Sequence, residues 1–146
     1  MMSSEHLNSL AKTGLLKPEP PDQTEFNGLV ESGTKRLKDA CNEANSTEGR
    51  FDLAYNAAHA LSLAAMRWHG FRPNNRRYIV FQALEHTLGL SAGQWRVLDK
   101  AHSARNSAEY EGYFEVDEQL LAEVLKITEI VREKVTDLKP IASTKK

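Results

Sequence analysis

Arg105 and Asn106 sit side by side late in a helical stretch, with Tyr110 four residues after Asn106 and Gly112 breaking the helix soon after. A guanidinium can grip a phosphodiester with two parallel hydrogen bonds, and a neighbouring amide can orient it. A titratable ring about one turn away then has a proton to move. The phenol of Tyr110 is a poor base at neutral pH, because its reference pKa is about 10. His102 lies one turn before Arg105 and beside Asn106 in helical projection, so it could supply the imidazole that position 110 lacks. Each residue also has a plain structural reading. Arg105 could pair with Glu109 at i+4, His102 could pack in a helix seam, and Tyr110 and Tyr113 could seal the bundle end instead of stacking on a base.

A second constellation runs from Arg67 to Tyr78. Arg67, Arg72, Arg76 and Arg77 alternate there with Trp68, His69, Phe71 and Tyr78 around Pro73-Asn74-Asn75. Bases interleaved with aromatics at a helix–loop–helix corner can hold a nucleic-acid backbone and stack its bases. The competing reading is that these arginines are solvated or paired with acids such as Glu109, Glu111 and Glu115. His59 reads as a hydrogen-bonded core histidine, and Tyr55, His59 and Trp68 could together line a small-molecule pocket. No HExxH, CxxC, glycine-rich phosphate loop or serine elbow appears, so neither a metal nor a cofactor is expected.

The elements that must position these residues all read as helices. Residues 6–16 form a short helix closed by Gly14, followed by a stiff connector through Pro18, Pro20 and Pro21. Thr24 is the expected N-cap of a helix from Glu25 to Asn42. Asn45-Ser46-Thr47 caps the next, 48–69, whose Leu53, Ala54, Ala57, Ala58, Leu61, Ala64, Ala65 and Trp68 leave almost no polar face. Such a helix must be enclosed by neighbours. Further helices are expected over 76–89, over 93–109 capped by Ser91, and over 118–138 capped by Asp117. No alternating strand pattern is present. Short loops between long amphipathic helices predict an all-α, up-and-down bundle of four to five helices. The expected organisation is a short helix and proline-rich connector over 1–23, the bundle over 24–138, and a disordered tail over 139–146.

Composition bounds the rest. At 146 residues, with 40% hydrophobic and 27% charged side chains, the chain is that of an ordinary globular protein. No apolar run approaches the roughly 20 residues needed to cross a bilayer. The first ten residues lack a secretory core segment, and the single Cys41, read as a packing residue, fits a reducing cytoplasm. Net charge is -1, yet Arg67 to Arg105 is basic and Asn106 to Leu138 acidic. That asymmetry points to self-association or to one anionic partner at a local patch.

The blocks Ala54-Tyr55-Asn56-Ala57-Ala58-His59-Ala60-Leu61 and Arg105-Asn106-Ser107-Ala108-Glu109-Tyr110-Glu111-Gly112, within a helical bundle, resemble a bacterial subgroup of the HEPN superfamily (higher eukaryotes and prokaryotes nucleotide-binding). The resemblance covers about residues 24 to 138. It implies a HEPN-like bundle, a homodimer with two motifs meeting across the interface, and metal-independent ribonuclease activity in active members. Many such members are toxins paired with a nucleotidyltransferase-type antitoxin. The family motif is an arginine, a spacer of four to six residues that opens with a polar one, and then a histidine. Arg105 and Asn106 match its first two positions, and Tyr110 stands where the histidine belongs. The expectation is therefore a binder of RNA or a nucleotide, in a toxin–antitoxin or defence setting, with weak or lost cleavage. Were it to cleave, Arg105 would stabilise the transition state, Asn106 would orient it, and Tyr110 or His102 would handle the proton. The other expectation is a dimeric protein-interaction module without chemistry.

Overall fold

The computed structural model of the protein describes residues 2–74, 79–111 and 117–141, with side chains at 5–74, 79–106 and 117–141. In chain order these form helix α1 (Met2–Lys12), strand β1 (Leu16–Pro18), helices α2 (Gln23–Ala40) and α3 (Thr47–Trp68), strand β2 (Phe71–Pro73), and helices α4 (Ile79–Gln82), α5 (Leu84–Thr87), α6 (Ala92–Glu111) and α7 (Glu118–Thr136). The four long helices α2, α3, α6 and α7 make an all-α bundle, as the apolar spacing predicts.

Side-chain caps set where the long helices start. Asp22 accepts from the Glu25 backbone N–H at 2.8 Å, so the cap of α2 is Asp22 and not Thr24. Ser46 caps α3 through Gly49 N–H at 3.0 Å, and Asp117 caps α7 through Gln119 N–H at 2.9 Å. At α6 the cap is reciprocal: Ser91 Oγ accepts from Gln94 N–H at 3.2 Å, while Gln94 Oε1 accepts from Ser91 N–H at 2.9 Å. Each arrangement satisfies backbone donors that the first helical turn leaves unpaired.

Helix α3 is the centre. It touches α2, α4, α5, α6, α7 and β2. Its alanines at 54, 57, 58, 64 and 65 are fully buried and let neighbouring backbones come close. The tightest approach is to α2 at Gly33, where a Cβ would stand 2.5 Å from Leu61 Cγ and 3.3 Å from the Ala57 carbonyl oxygen. Only a residue without a side chain fits there.

A second apolar cluster lies at the other end of the bundle, built from Leu7 of α1, Leu16 of β1, Met66, Phe71, Ile79, Val80 and Ala83. It explains two departures from the sequence expectation. The span expected as one helix over 76–89 is instead the pair α4 and α5, parted at Ala83, with residues 75–78 outside the described segments. Phe81 and Leu84 face the main core, whereas Ile79, Val80 and Ala83 face the second cluster.

The second departure is a strand pair where a connector and a loop are expected. β1 and β2 run antiparallel, with Leu16 opposite Pro73, Lys17 opposite Arg72 and Pro18 opposite Phe71. The ribbon is three residues per strand and closes a long loop in sequence, so no local alternation announces it. Cys41 also differs from its reading. It is exposed at the C-cap of α2, not packed.

Arg67 fastens the ribbon to the bundle. Its side chain is 1% exposed. The Nε donates to Glu25 Oε1 at 3.0 Å, Nη1 donates to the carbonyls of Glu19 at 3.0 Å and Phe71 at 3.2 Å, and Nη2 donates to the Pro20 carbonyl at 2.8 Å. Beside it, Arg72 grips Glu19 through both carboxylate oxygens at 3.0 and 2.9 Å and reaches Glu25 Oε2 at 2.8 Å. The Arg72 guanidinium holds the Glu19 carboxyl below its ordinary range.

Two predictions follow from this packing. Arg67→Ala leaves a carboxylate and three carbonyls short of a donor, so urea denaturation should show a loss of about 3–5 kcal/mol. Arg67→Lys should recover little of it, because an ammonium cannot span the same fork. The second concerns acid. Burial lowers the pKa of His69, and burial with the nearby His6 lowers that of His86. The unfolded chain therefore takes up these protons first, and stability falls as pH drops through the ordinary histidine range, near 6.5. Thermal denaturation between pH 7.5 and 5.5 should show the decline, and His86→Gln should flatten it.

Candidate functional site at the seam of α3 and α6

Asp52, Tyr55, Asn56 and His59 occupy one side of α3 at spacings of three and four residues. His102, Arg105 and Asn106 do the same on α6, one turn beyond the buried Leu98 and Ala101 that seat this helix on the core. The two rows meet. Tyr55, 1% exposed, places its hydroxyl 2.7 Å from His102 Nδ1. The other imidazole nitrogen, Nε2, stands 3.1 Å from Asn106 Nδ2.

Two proton arrangements satisfy this chain, and they are mirror images. With the Asn106 amide donating to Nε2, the imidazole carries its proton on Nδ1 and donates to the Tyr55 oxygen. With the amide turned over, Nε2–H donates to Asn106 Oδ1 and Nδ1 accepts from the Tyr55 hydroxyl. In both, the ring is oriented from both sides, which is what proton transfer at a fixed point requires.

Arg105 lies along the same surface. Its guanidinium carbon is 5.0 Å from the centre of the Tyr55 ring, and its Nε donates to Asp52 Oδ1 at 3.0 Å. Asp52 also receives the Asn56 amide, at 3.3 Å to Oδ2. The side chains of Arg105 and Asp52 are 26% and 55% exposed, so the ion pair faces solvent. A solvent-facing pair is worth about 0–1 kcal/mol, weak enough for an incoming anion to exchange with it.

The sequence-predicted residues thus divide into three groups. His102, Arg105 and Asn106 come together with Tyr55. Tyr110 belongs to α6 by its backbone, but its side chain and those of Glu109 and Tyr113 lie outside the described ones. The basic corner separates differently. Arg67 is enclosed and Arg72 is paired with Glu19 and Glu25, so the acids they meet come from the N-terminal segment and α2. A guanidinium with 1% exposure offers no donor to an outside phosphate, and Arg67 therefore serves the fold. Arg76 and Arg77 lie outside the described residues.

Tyr55 and His59 do not open a pocket with Trp68. Phe81 lies edge-on to both rings, at 5.9 Å from Tyr55 and 6.2 Å from His59. Along the helix axis Trp68 is about 20 Å from Tyr55 and about 14 Å from His59, and its indole N–H donates to the Lys139 carbonyl at 2.7 Å. Asp52 is the site residue that sequence reasoning missed. Its signal is an acid three and four residues before Tyr55 and Asn56 on an otherwise apolar helix. Among the described residues no group of three or more His, Cys, Asp or Glu could hold a metal ion, and no helix is long and apolar enough to cross a membrane.

Removing the phenolic oxygen isolates its role. Tyr55→Phe should keep the fold and lower stability by about 0.5–1.5 kcal/mol. Imidazole nitrogen NMR should show the His102 tautomer balance shift toward that of a free histidine; an unchanged imidazole spectrum would mean that the hydroxyl does not orient the ring.

No family model and no curated protein matches this chain in sequence comparison.

Proposed function

We propose that this chain is a HEPN-type helical-bundle protein that binds RNA at the α3–α6 seam. Arg105 is the phosphate contact, Asn106 orients it, and His102 is the group that can exchange a proton with the bound ribose. The observation that carries the reading is the placement of His102. The imidazole missing from position 110 is supplied at position 102, one turn from Arg105 and held by Tyr55 and Asn106. A guanidinium and an oriented imidazole on adjacent turns of one helix are the two groups that metal-independent handling of a phosphodiester needs.

The chemistry sets the expected strength. Both nitrogens of His102 have partners, and Asp52 competes for Arg105. Proton transfer to the imidazole must displace one of these partners, so binding is the main activity and cleavage is slow. The family likeness extends the reading to a homodimer, with a nucleotidyltransferase-type antitoxin as partner in a toxin–antitoxin or defence setting.

The test is direct. Purified protein is titrated with a short fluorescein-labelled single-stranded RNA at low salt, and binding is followed by anisotropy. Arg105→Ala should weaken binding about tenfold or more, the loss of one charge-assisted contact of about 1.4 kcal/mol. Prolonged incubation in EDTA should leave slow, Arg105-dependent cleavage products. Equal binding by wild type and Arg105→Ala would remove the proposal.

A further inference from the structure

Asp52 stands where an anionic ligand of Arg105 would stand. Its Oδ1 accepts from Arg105 Nε at 3.0 Å, the distance and geometry of a phosphate oxygen on the same donor. Meanwhile Tyr55 supports the guanidinium from below, at 5.0 Å from the ring centre. The acid also has somewhere to go. Asn56 donates to Asp52 Oδ2 at 3.3 Å and to the Asp52 backbone carbonyl at 2.9 Å. Asp52 thus keeps a hydrogen-bond donor when it lets go of the arginine. With 55% of its side chain exposed, it has solvent to take up the second oxygen.

We infer that Asp52 is a built-in competitor that sets the affinity of Arg105 for phosphodiesters. This rests on the reading of Arg105 as the phosphate contact. The carboxylate holds the guanidinium beside the Tyr55 ring, and a phosphodiester must displace it from the Nε–H in order to bind. On binding, the phosphate takes the Nε–H, and Asp52 falls back on Asn56 and water. The phosphate and the Asp52 carboxylate claim the same Nε–H donor, so occupancy of that donor by RNA and by Asp52 is mutually exclusive. The pair is solvent-facing, so the carboxylate tunes affinity without shutting the site.

Five proteins decide it: wild type, Asp52→Asn, Asp52→Ser, Arg105→Ala and the Asp52→Asn, Arg105→Ala double variant, each titrated with the same short labelled single-stranded RNA. Asp52→Asn is isosteric and lies on an exposed position, and Asp52→Ser serves as a second removal of the charge. Both should tighten binding about two- to fivefold, the equilibrium equivalent of one exposed ion pair. The gain should vanish in the Arg105→Ala background. If Asp52→Asn and Asp52→Ser leave affinity unchanged or weaken it while Arg105→Ala still weakens it, Asp52 is not a competitor, though Arg105 still binds RNA. Tightening that persists without Arg105 shows a general charge effect and also overturns the inference. If Arg105→Ala binds like wild type, the inference falls together with the reading on which it rests.

Discussion

Every element of the protein takes its place from the enclosure of α3. A 22-residue helix with alanine at half of its buried positions offers little side-chain volume there, so its neighbours must approach closely to fill space. Gly33 permits that approach on the α2 side. Two polar clusters lie on α3, one in its N-terminal half and one in its last turn. Asp52, Tyr55 and Asn56 lie near the first turns, and Arg67 lies in the last. The helix therefore carries an open polar cluster at one end and a closed one at the other.

Exposure separates the two ends. At the closed end Arg67 is sealed among Glu25 and the carbonyls of Glu19, Pro20 and Phe71, and a buried charge survives only when its donors are satisfied. That requirement pins the N-terminal segment, and with it α1 and the β-ribbon, to the bundle. At the open end Arg105 and Asp52 form a pair that water can reach, supported by a buried phenol. The same residue type is sealed where its partners surround it and reaches solvent where they do not.

This contrast also measures what the sequence discloses. The four long helices, the cap within Asn45-Ser46-Thr47, the Ser91 and Asp117 caps and the central role of 48–69 are local or periodic signals, and each is visible in the sequence. The β-ribbon, the parting of α4 from α5 and the Arg67 fork depend on residues distant in sequence, and neither spacing nor composition reveals them. The site was legible on one side only. His102, Arg105 and Asn106 share a helix and announce themselves by spacing, whereas their partners Asp52 and Tyr55 arrive from a helix about fifty residues earlier. Arg67 and Arg72 look equivalent in sequence, and burial separates them, at 1% against 34% exposure.

The central claim is that an anionic guest meets Arg105 beside the oriented imidazole of His102. It is tested most directly by following the arginine Nε–H and histidine ring resonances in a nitrogen-15 NMR titration with short single-stranded RNA. The account predicts saturable shifts of Arg105 Nε–H and His102 at the same midpoint, with the enclosed Arg67 unmoved. Shifts confined to other arginines, with Arg105 and His102 silent at saturating RNA, would contradict it.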